Sequence, residues 1–244
     1  MKTGISHYLL DIEGTTCPVS FVTGTLFPYA SDQMGAFLER NQHQDRVLKL
    51  VEELEEEWKD DPHPEAVALR AEAPDECVPW RVLPYLHWLM AHDRKLTALK
   101  ELQGMVWEQG YASGELVGPL FSDVPAALRR WRAAGKVLAV YSSGSVKAQQ
   151  LLYRHSNGGD LGELFSHWFD TRCGQKQTSA SYTAIAAAMA VEPDRILFIS
   201  DTVGELQAAT DAGMKVLFSL REGNPQSDPG AFTSIINFNE FCSD

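Results

Sequence analysis

The chain has 244 residues, which is enough for one or two domains with a large apolar core. Its 33 acidic residues outnumber its 21 Lys and Arg residues, and the formal net charge is −12. This charge argues against nucleic acid or an anionic membrane as the main partner, because both select basic proteins. A small anionic ligand remains compatible with it, since a few local donors can hold a phosphate.

The cysteines predict neither a disulfide framework nor a zinc site. They are far apart, and we expect free thiols in a reducing compartment at Cys17, Cys77, Cys173 and Cys242. Asp11 interrupts the N-terminal apolar run before a signal peptide can form. No stretch approaches the roughly 18 to 20 apolar residues that span a bilayer. We therefore expect a cytoplasmic protein.

The first predicted element is a short strand over residues 8–12 with an unusual end. Its apolar residues lead into two carboxylates, Asp11 and Glu13, followed at once by Gly14-Thr15-Thr16. Unpaired charge in a buried strand is costly, so the carboxylates indicate a ligand at the strand end. A helix cap is the plainer interpretation of a single Asp at such a position.

Residues from about 22 to 119 carry helical patterns and no clear strand. We predict helices over 26–39, 46–59, 78–92 and 95–110, with breaks near Pro62-His63-Pro64 and Pro74. One acidic run is most simply a solvent-facing helix surface, with a metal site as the weaker alternative. It consists of Glu52, Glu53, Glu55, Glu56 and Glu57.

Four aromatic residues in this helical region have spacings that suit a helical core. They are Trp80, Tyr85, Trp88 and Trp107. We prefer a core role for them to an aromatic substrate site.

After residue 119, strand patterns alternate with helical patterns. KVLAVYSSGS and DRILFISDTVGELQAATDAG both begin as strands, MKVLFSL is a further strand, and an Ala-rich run over 182–191 is typical of a packed helix. The alternation predicts a parallel sheet with helices on both faces. The strand over 8–12 must join that sheet, since it has no partner nearby. The expected division is a core of residues 1–21 and 120–244, with residues 22–119 inserted.

Ligands of such sheets bind beyond the carboxyl ends of the strands. Four polar clusters lie at those ends or can reach them: residues 11–15, residues 142–144, Lys176, and Ser200-Asp201 with Glu205. Each alone has a plain interpretation as a cap or a surface lysine. Four such clusters, in this order along the chain and at the same edge of the sheet, favour a ligand-binding site.

The acidic residues suit phosphoryl transfer. The Asp11 carboxylate can attack phosphorus, and Glu13 can protonate the leaving oxygen. Asp11 and Asp201 offer the hard oxygens that Mg²⁺ prefers, with a backbone carbonyl near Glu13 as a third ligand.

The remaining clusters can hold the phosphate. Ser142 offers a hydroxyl, and the amides of Ser143 and Gly144 are expected to open a helix N-terminus, which favours anions. Lys176 supplies the fixed positive charge that phosphoryl transfer requires.

The order DxxGT, Ser-Ser-Gly, Lys and an acidic SD motif resembles the haloacid dehalogenase superfamily. LLDIEGTTCPVSFV…LFPY, YSSGSVKAQQLL, FDT…GQKQTSASYTAI and LFISDTVGELQAA resemble, almost end to end, its enolase-phosphatase family of methionine salvage. Most phosphatases of the superfamily carry Asp where Glu13 stands, whereas this family carries Glu.

The resemblance implies an α/β fold with a Rossmann-like parallel-sheet core and an inserted helical cap. It implies one Mg²⁺ per chain and a small phosphate ester as substrate, 2,3-diketo-5-methylthiopentyl-1-phosphate. That substrate is enolised and then dephosphorylated to the acireductone 1,2-dihydroxy-5-methylthiopent-1-en-3-one. We expect a monomer that binds neither nucleic acid nor membrane.

Residue by residue, the family's metal ligands correspond to Asp11, Glu13 and Asp201. Its catalytic groups correspond to Asp11, Glu13 and Lys176. Its substrate contacts correspond to Ser142, Ser143, Gly144 and Lys176.

Two other classes of function stay open on the sequence alone. The first is another enzyme of the same fold, either a sugar-phosphate phosphatase or a haloacid dehalogenase. Dehalogenation needs neither Mg²⁺ nor an acid for the leaving group, so Glu13 and the Asp201/Glu205 pair count against it. The second is a non-catalytic phosphate-binding regulator, which the acids at both positions 11 and 13 disfavour. A phosphatase assay separates an enzyme from such a regulator.

Overall fold

The computed structural model describes residues 4–73 and 79–240. The chain divides into two compact units, one made of Met1–Val22 with Leu116–Asp244 and the other of Thr23–Glu115. The second unit is therefore inserted in the sequence after the first strand. Cys77, Cys242, the predicted break at Pro74 and the predicted helix start at residue 78 lie outside the described residues.

The first unit contains a six-stranded parallel sheet. Its strands are β1 (His7–Leu10), β2 (Val137–Tyr141), β3 (Phe165–Phe169), β4 (Ile196–Ser200), β5 (Lys215–Ser219) and β6 (Ser234–Ile235). Their order across the sheet is β3-β2-β1-β4-β5-β6, and each neighbouring pair is parallel. The first strand thus joins the later ones, as predicted.

The helices belong to both units. In chain order they are α1 (Val19–Phe21), α2 (Phe27–Arg40), α3 (Asp45–Asp60), α4 (Pro64–Glu72), α5 (Leu83–Ala91), α6 (Thr97–Ser113), α7 (Val124–Ala133), α8 (Val146–Arg154), α9 (Ser179–Ala188) and α10 (Val203–Asp211). A π-helical turn spans Val22–Leu26, and 3₁₀ turns span Pro79–Val82, Gly162–Leu164, Thr171–Cys173 and Pro193–Arg195. None of the helices in the described ranges is both long and apolar enough to cross a membrane.

Strand β1 is buried on both faces. Leu9 packs in a cluster with Tyr182 and Phe198. The neighbouring Tyr8 ring lies 4.6 Å from the Trp131 ring, and consecutive strand residues point to opposite faces. Apolar residues therefore continue along β1 without alternation, as is typical of a parallel sheet covered on both sides.

Two of the strands were not predicted from the sequence. Strand β3 has the sequence FSHWF, in which Ser166 and His167 interrupt the apolar run, and only its first residue is buried. Strand β6 contains two residues. Both are outer strands of the sheet, where less burial is required, so their apolar pattern is weak.

The helical unit has its own core. Buried residues of α3 recur at helical spacing and comprise Val47, Leu50, Val51, Leu54 and Trp58. The Trp58 ring stacks on the Tyr85 ring at 5.1 Å. Among the described residues 22–73 and 79–119, the secondary structure is helical or irregular with a single isolated bridge at Gly118, as the pattern predicted.

Three details of this unit refine the sequence predictions. The acidic run lies on α3, and most of its side chains are exposed, as expected for a solvent-facing surface. Tyr85 and Trp88 are buried, but Trp80 is 40% exposed, so its assignment to the core was wrong. Helix α4 was not predicted. It begins at Pro64 because proline is tolerated in the first turn, where its missing N–H has no helical partner.

A buried ion pair ties the C-terminal segment to the sheet unit. Arg221 donates to both carboxylate oxygens of Asp123, at 2.8 and 2.9 Å, and the Phe238 amide donates to Asp123 at 2.7 Å. Both side chains are nearly inaccessible, with exposures of 5% and 10%. Removing either partner leaves an uncompensated buried charge.

We expect Asp123→Ala to lower the free energy of unfolding by about 3–5 kcal/mol, measured by urea denaturation. Lys59→Ala, which breaks an ion pair with Glu56 whose two side chains are 59% and 72% exposed, is the control and changes stability little. Burial alone raises the pKa of Asp123, but Arg221 and the Phe238 amide outweigh it and lower the pKa below 3.8. The ion pair therefore stabilises the fold fully at pH values well above 3.8, the ordinary pKa of the carboxyl. This stabilisation is lost as the pH falls through the lower folded-state pKa. Equal losses in the two variants would contradict this prediction.

Candidate active site

The chain leaves β1 with Asp11 held at the carboxyl edge of the sheet. The Asp11 amide donates to the Ile199 carbonyl at 3.0 Å, which continues the pairing with β4 one residue beyond the strand. The Asp11 side chain is only 6% exposed. A carboxylate is thus placed in a buried position, where it requires partners.

Lys176 is the cationic partner of Asp11. Its Nζ lies 2.6 Å from Asp11 Oδ1 and 2.8 Å from Glu205 Oε2, and its side chain is 12% exposed. The Tyr182 hydroxyl donates to the Lys176 carbonyl at 2.7 Å and fixes the loop before α9. Lys176 is therefore part of a buried cluster, and the plain interpretation as a surface lysine is wrong.

The environment of Lys176 keeps the ammonium charged. Burial alone lowers the pKa of Lys176, but the carboxylates of Asp11 and Glu205 outweigh it, and the net effect raises the pKa above its ordinary value. The Tyr141 ring, 5.8 Å from Nζ, adds a favourable contact. A fixed positive charge is therefore present at neutral pH.

Ser200 closes a ring of four polar side chains. Its hydroxyl lies 2.9 Å from Glu205 Oε2 and 3.4 Å from Asp11 Oδ2, so Asp11, Lys176, Glu205 and Ser200 each contact two of the others. Burial raises the pKa of Glu205 to about 7, the charge of Asp11 adds to the shift, and Lys176 opposes it. The ring fixes the orientation of the Asp11 carboxylate.

Asp201 follows β4 and lies against the loop that follows β1. Its Oδ1 accepts from the Thr202 hydroxyl at 3.1 Å. Gly14 has φ +69°, and a Cβ there would stand 2.1 Å from Asp201 Oδ2, so only glycine fits. Burial raises the pKa of Asp201 to about 6, and the charge of Asp11 adds to this shift.

The Ser142–Gly144 segment lies at the carboxyl end of β2. Ser142 is buried, its amide donates to the Phe169 carbonyl at 3.2 Å, and its Oγ accepts from the Gly144 amide at 3.2 Å. Ser143 is exposed. The predicted helix start needs correction, because α8 begins only at Val146, where the Ser145 hydroxyl caps it.

Glu13 lies in the tight loop after β1 and is half-buried. The loop is closed by a hydrogen bond from the Gly14 amide to the Cys17 carbonyl at 2.8 Å. Burial raises the pKa of the Cys17 thiol to about 12, and the charge of Glu13 adds to the shift. Cys17 is therefore a buried, protonated thiol, in keeping with the predicted free cysteine.

Known proteins are similar to this chain over nearly its whole length. The haloacid dehalogenase-like hydrolase model matches residues 5–213. Enolase-phosphatase E1 of Synechococcus sp. strain CC9902 is 48% identical over 238 residues, which cover 97% of each chain. The Synechococcus elongatus strain PCC 7942 enzyme of the same name is 46% identical over 98% of this chain and 99% of its own. The chain belongs to the enolase-phosphatase E1 family of haloacid dehalogenase-like hydrolases.

Solved structures share the fold of this chain. The crystal structure of the UTR4 protein of Saccharomyces cerevisiae has a TM-score of 0.77 and 31% identity, and covers 97% of this chain and 100% of its own. CbbY from Rhodobacter sphaeroides in complex with phosphate has a TM-score of 0.58 at 18% identity, covering 97% and 96%, and shares the fold.

The side chains gathered around Asp11 suit a divalent cation. Three buried acidic side chains, Asp11, Asp201 and Glu205, share one ammonium, Lys176, so acidic groups outnumber basic groups at the site. Among the described residues, no group of three or more His, Cys, Asp or Glu side chains is arranged to hold a metal ion. Asp11 and Asp201 nevertheless offer two hard oxygens, and Mg²⁺ binds few carboxylates and keeps several waters. The pair therefore fits Mg²⁺.

Two residues of this site had no role assigned from the sequence. Glu205 was predicted to lie at this edge with Ser200-Asp201, and it stands on the first turn of α10 with its carboxylate bonded to Ser200. Asn224 donates to the Gly14 carbonyl at 2.9 Å. A lone Asn in a loop carries no sequence signal for such a contact.

Proposed function

We propose that this chain enolises 2,3-diketo-5-methylthiopentyl-1-phosphate and then removes its phosphate, giving the acireductone 1,2-dihydroxy-5-methylthiopent-1-en-3-one in L-methionine salvage from methylthioadenosine. The observation that carries the proposal is the buried contact between Asp11 and Lys176 at the end of β1. The family, whose curated members are named enolase-phosphatase E1, supports it.

The phosphatase step uses Asp11 as nucleophile. A carboxylate oxygen of Asp11 forms a bond to phosphorus while the bond from phosphorus to the ester oxygen breaks, and Glu13 gives that oxygen a proton. Water then hydrolyses the aspartyl phosphate and restores Asp11. Lys176, 2.6 Å from Asp11 Oδ1, places its charge where the phosphoryl oxygens arrive.

The segment after β2 is proposed to bind the phosphate. The buried Ser142 hydroxyl and the Gly144 amide already contact each other at 3.2 Å. Ser143 is exposed, so its side chain and amide can turn to a ligand. These groups donate hydrogen bonds to phosphate oxygens and need no net basic surface.

One Mg²⁺ is assigned to Asp11, Glu13 and Asp201. When bound, it would offset the charge of the phosphate and polarise the substrate carbonyl oxygens as a Lewis acid. Lys176 and Ser200 hold the two oxygens of Asp11, and Thr202 holds one oxygen of Asp201. Both carboxylates are thereby oriented before any ligand binds.

The other assignments complete the proposal. The helical segment over residues 22–119 is proposed as the cap domain of the haloacid dehalogenase-like fold. The partner is a small phosphate ester and neither a nucleic acid nor a membrane, and the enzyme works as a monomer in the cytoplasm.

The test is to incubate the protein with the diketo phosphate and Mg²⁺ while following free phosphate and acireductone together. We expect both products in equal amounts, no turnover after chelation, and recovery when Mg²⁺ is returned. Sugar phosphates under the same conditions are the comparison, and we expect them to react much more slowly. Faster hydrolysis of a sugar phosphate, or full activity with a strong chelator, would refute the assignment.

A further inference from the structure

The carbonyl of Gly14 accepts hydrogen bonds from two side chains at and after the carboxyl end of β5. The Ser219 hydroxyl donates to it at 3.1 Å, and Asn224 Nδ2 donates to it at 2.9 Å. Asn224 Nδ2 also donates to the Ser219 carbonyl at 3.1 Å. Both hydrogens of the Asn224 amide are therefore used, and its orientation is determined by the two carbonyls.

This contact acts on the loop that carries Glu13, one of the three residues proposed to hold the metal. Gly14 lies three residues after Asp11 and next to Glu13, and its backbone has the left-handed φ of +69°. Asp201 Oδ2 and Asn224 Oδ1 lie 2.1 and 2.9 Å from the point where Gly14 would carry a Cβ. A shift of the Gly14 peptide would thus move the backbone against which Asp201 rests.

We propose that Asn224 is a positioning residue for the metal site. It holds the Gly14 peptide through hydrogen bonds and thereby fixes the loop carrying Glu13 relative to Asp201. The proposal rests on the proposed function, because it takes Asp11, Glu13 and Asp201 as the group that binds Mg²⁺. Outer groups that orient ligands of a metal usually contribute about 10-fold to 100-fold in metal affinity.

The test compares Mg²⁺ binding to the substrate-free protein by isothermal titration calorimetry. We expect Asn224→Ala to raise the Kd for Mg²⁺ by about 10-fold. Ser219→Ala, which removes one hydrogen bond to the same carbonyl, raises it less. At saturating Mg²⁺, kcat recovers towards the wild-type value, since Asn224 does not touch the reacting atoms.

Asn157→Ala is the matched control. Asn157 also makes two hydrogen bonds to backbone, accepting from the Leu120 amide at 3.2 Å and donating to the Leu120 carbonyl at 2.9 Å. Its loss lowers Tm without changing the Kd for Mg²⁺. A purely structural role for Asn224 would give the same result as this control.

Two outcomes would overturn the proposal, and they are distinguishable. If wild-type protein binds Mg²⁺ and both Asn224→Ala and Ser219→Ala bind it within twofold as tightly, the positioning role is wrong and the proposed function stands. If wild-type protein binds no Mg²⁺, the metal assignment fails and the role of Asn224 fails with it.

Discussion

Asp11→Asn is expected to lower phosphate release by about 10⁴-fold or more, because an amide cannot act as the attacking oxygen. The fold should persist, since the substitution keeps the volume of the side chain and Lys176 retains Glu205 at 2.8 Å. The measurement is the release of phosphate from the diketo phosphate in excess Mg²⁺, with circular dichroism as a check on folding.

Asp194→Asn is the matched control for this variant. Asp194 is exposed in the 3₁₀ turn that precedes β4, so it lies at the opposite edge of the sheet from Asp11. It should retain wild-type turnover. Near-normal turnover of Asp11→Asn would remove Asp11 from the role of nucleophile.

The same variant separates the two chemical steps. Enolisation takes a proton from the carbon that bears the phosphate ester, and this step does not require attack on phosphorus. Asp11→Asn in heavy water with bound Mg²⁺ should therefore still exchange deuterium into that carbon, as followed by mass spectrometry. Mg²⁺ occupancy is confirmed first by calorimetry. Exchange no faster than the uncatalysed rate would mean that Asp11 removes the proton or that phosphate leaves first.

Lys176→Ala is expected to lower kcat/KM for the diketo phosphate by about 10²-fold to 10³-fold. The substitution deletes the ammonium facing the phosphoryl oxygens and leaves Asp11 and Glu205 without their shared cation. Lys176→Arg should restore only part of the activity, since the planar guanidinium cannot place its charge at the same point. Steady-state kinetics in excess Mg²⁺ measures both variants.

Lys215→Ala controls for the loss of a positive charge. Lys215 is exposed at the start of β5 and should be replaceable without a change in kinetics. If Lys176→Ala behaved like Lys215→Ala, the buried ion pair with Asp11 would have only a structural role.

Much of the core was predictable because buried parallel strands have a strong local pattern. β1, β2, β4 and β5 are short apolar runs, and three of them end in polar residues that suit phosphate chemistry. The alternation with helices then placed these ends at one edge. Strand β3 escaped prediction because Ser166 and His167 break its apolar run.

The chemical types at the site were determined by the sequence alone. Asp11, Glu13, Lys176 and Asp201 stand in motifs whose order indicates phosphoryl transfer before any coordinates are known. The sequence also placed a helical segment after the first strand.

Only the tertiary structure decided which of these groups touch. Asp11 and Lys176 are 165 residues apart in the chain and meet because the β3–α9 connection folds over the end of β1. Asn224 and Gly14 are 210 residues apart, and their contact depends on the path of one loop after β5. Local patterns encode which face of an element is buried. Strand pairing and loop geometry determine distances between remote side chains, and these arise from the packing of the whole unit.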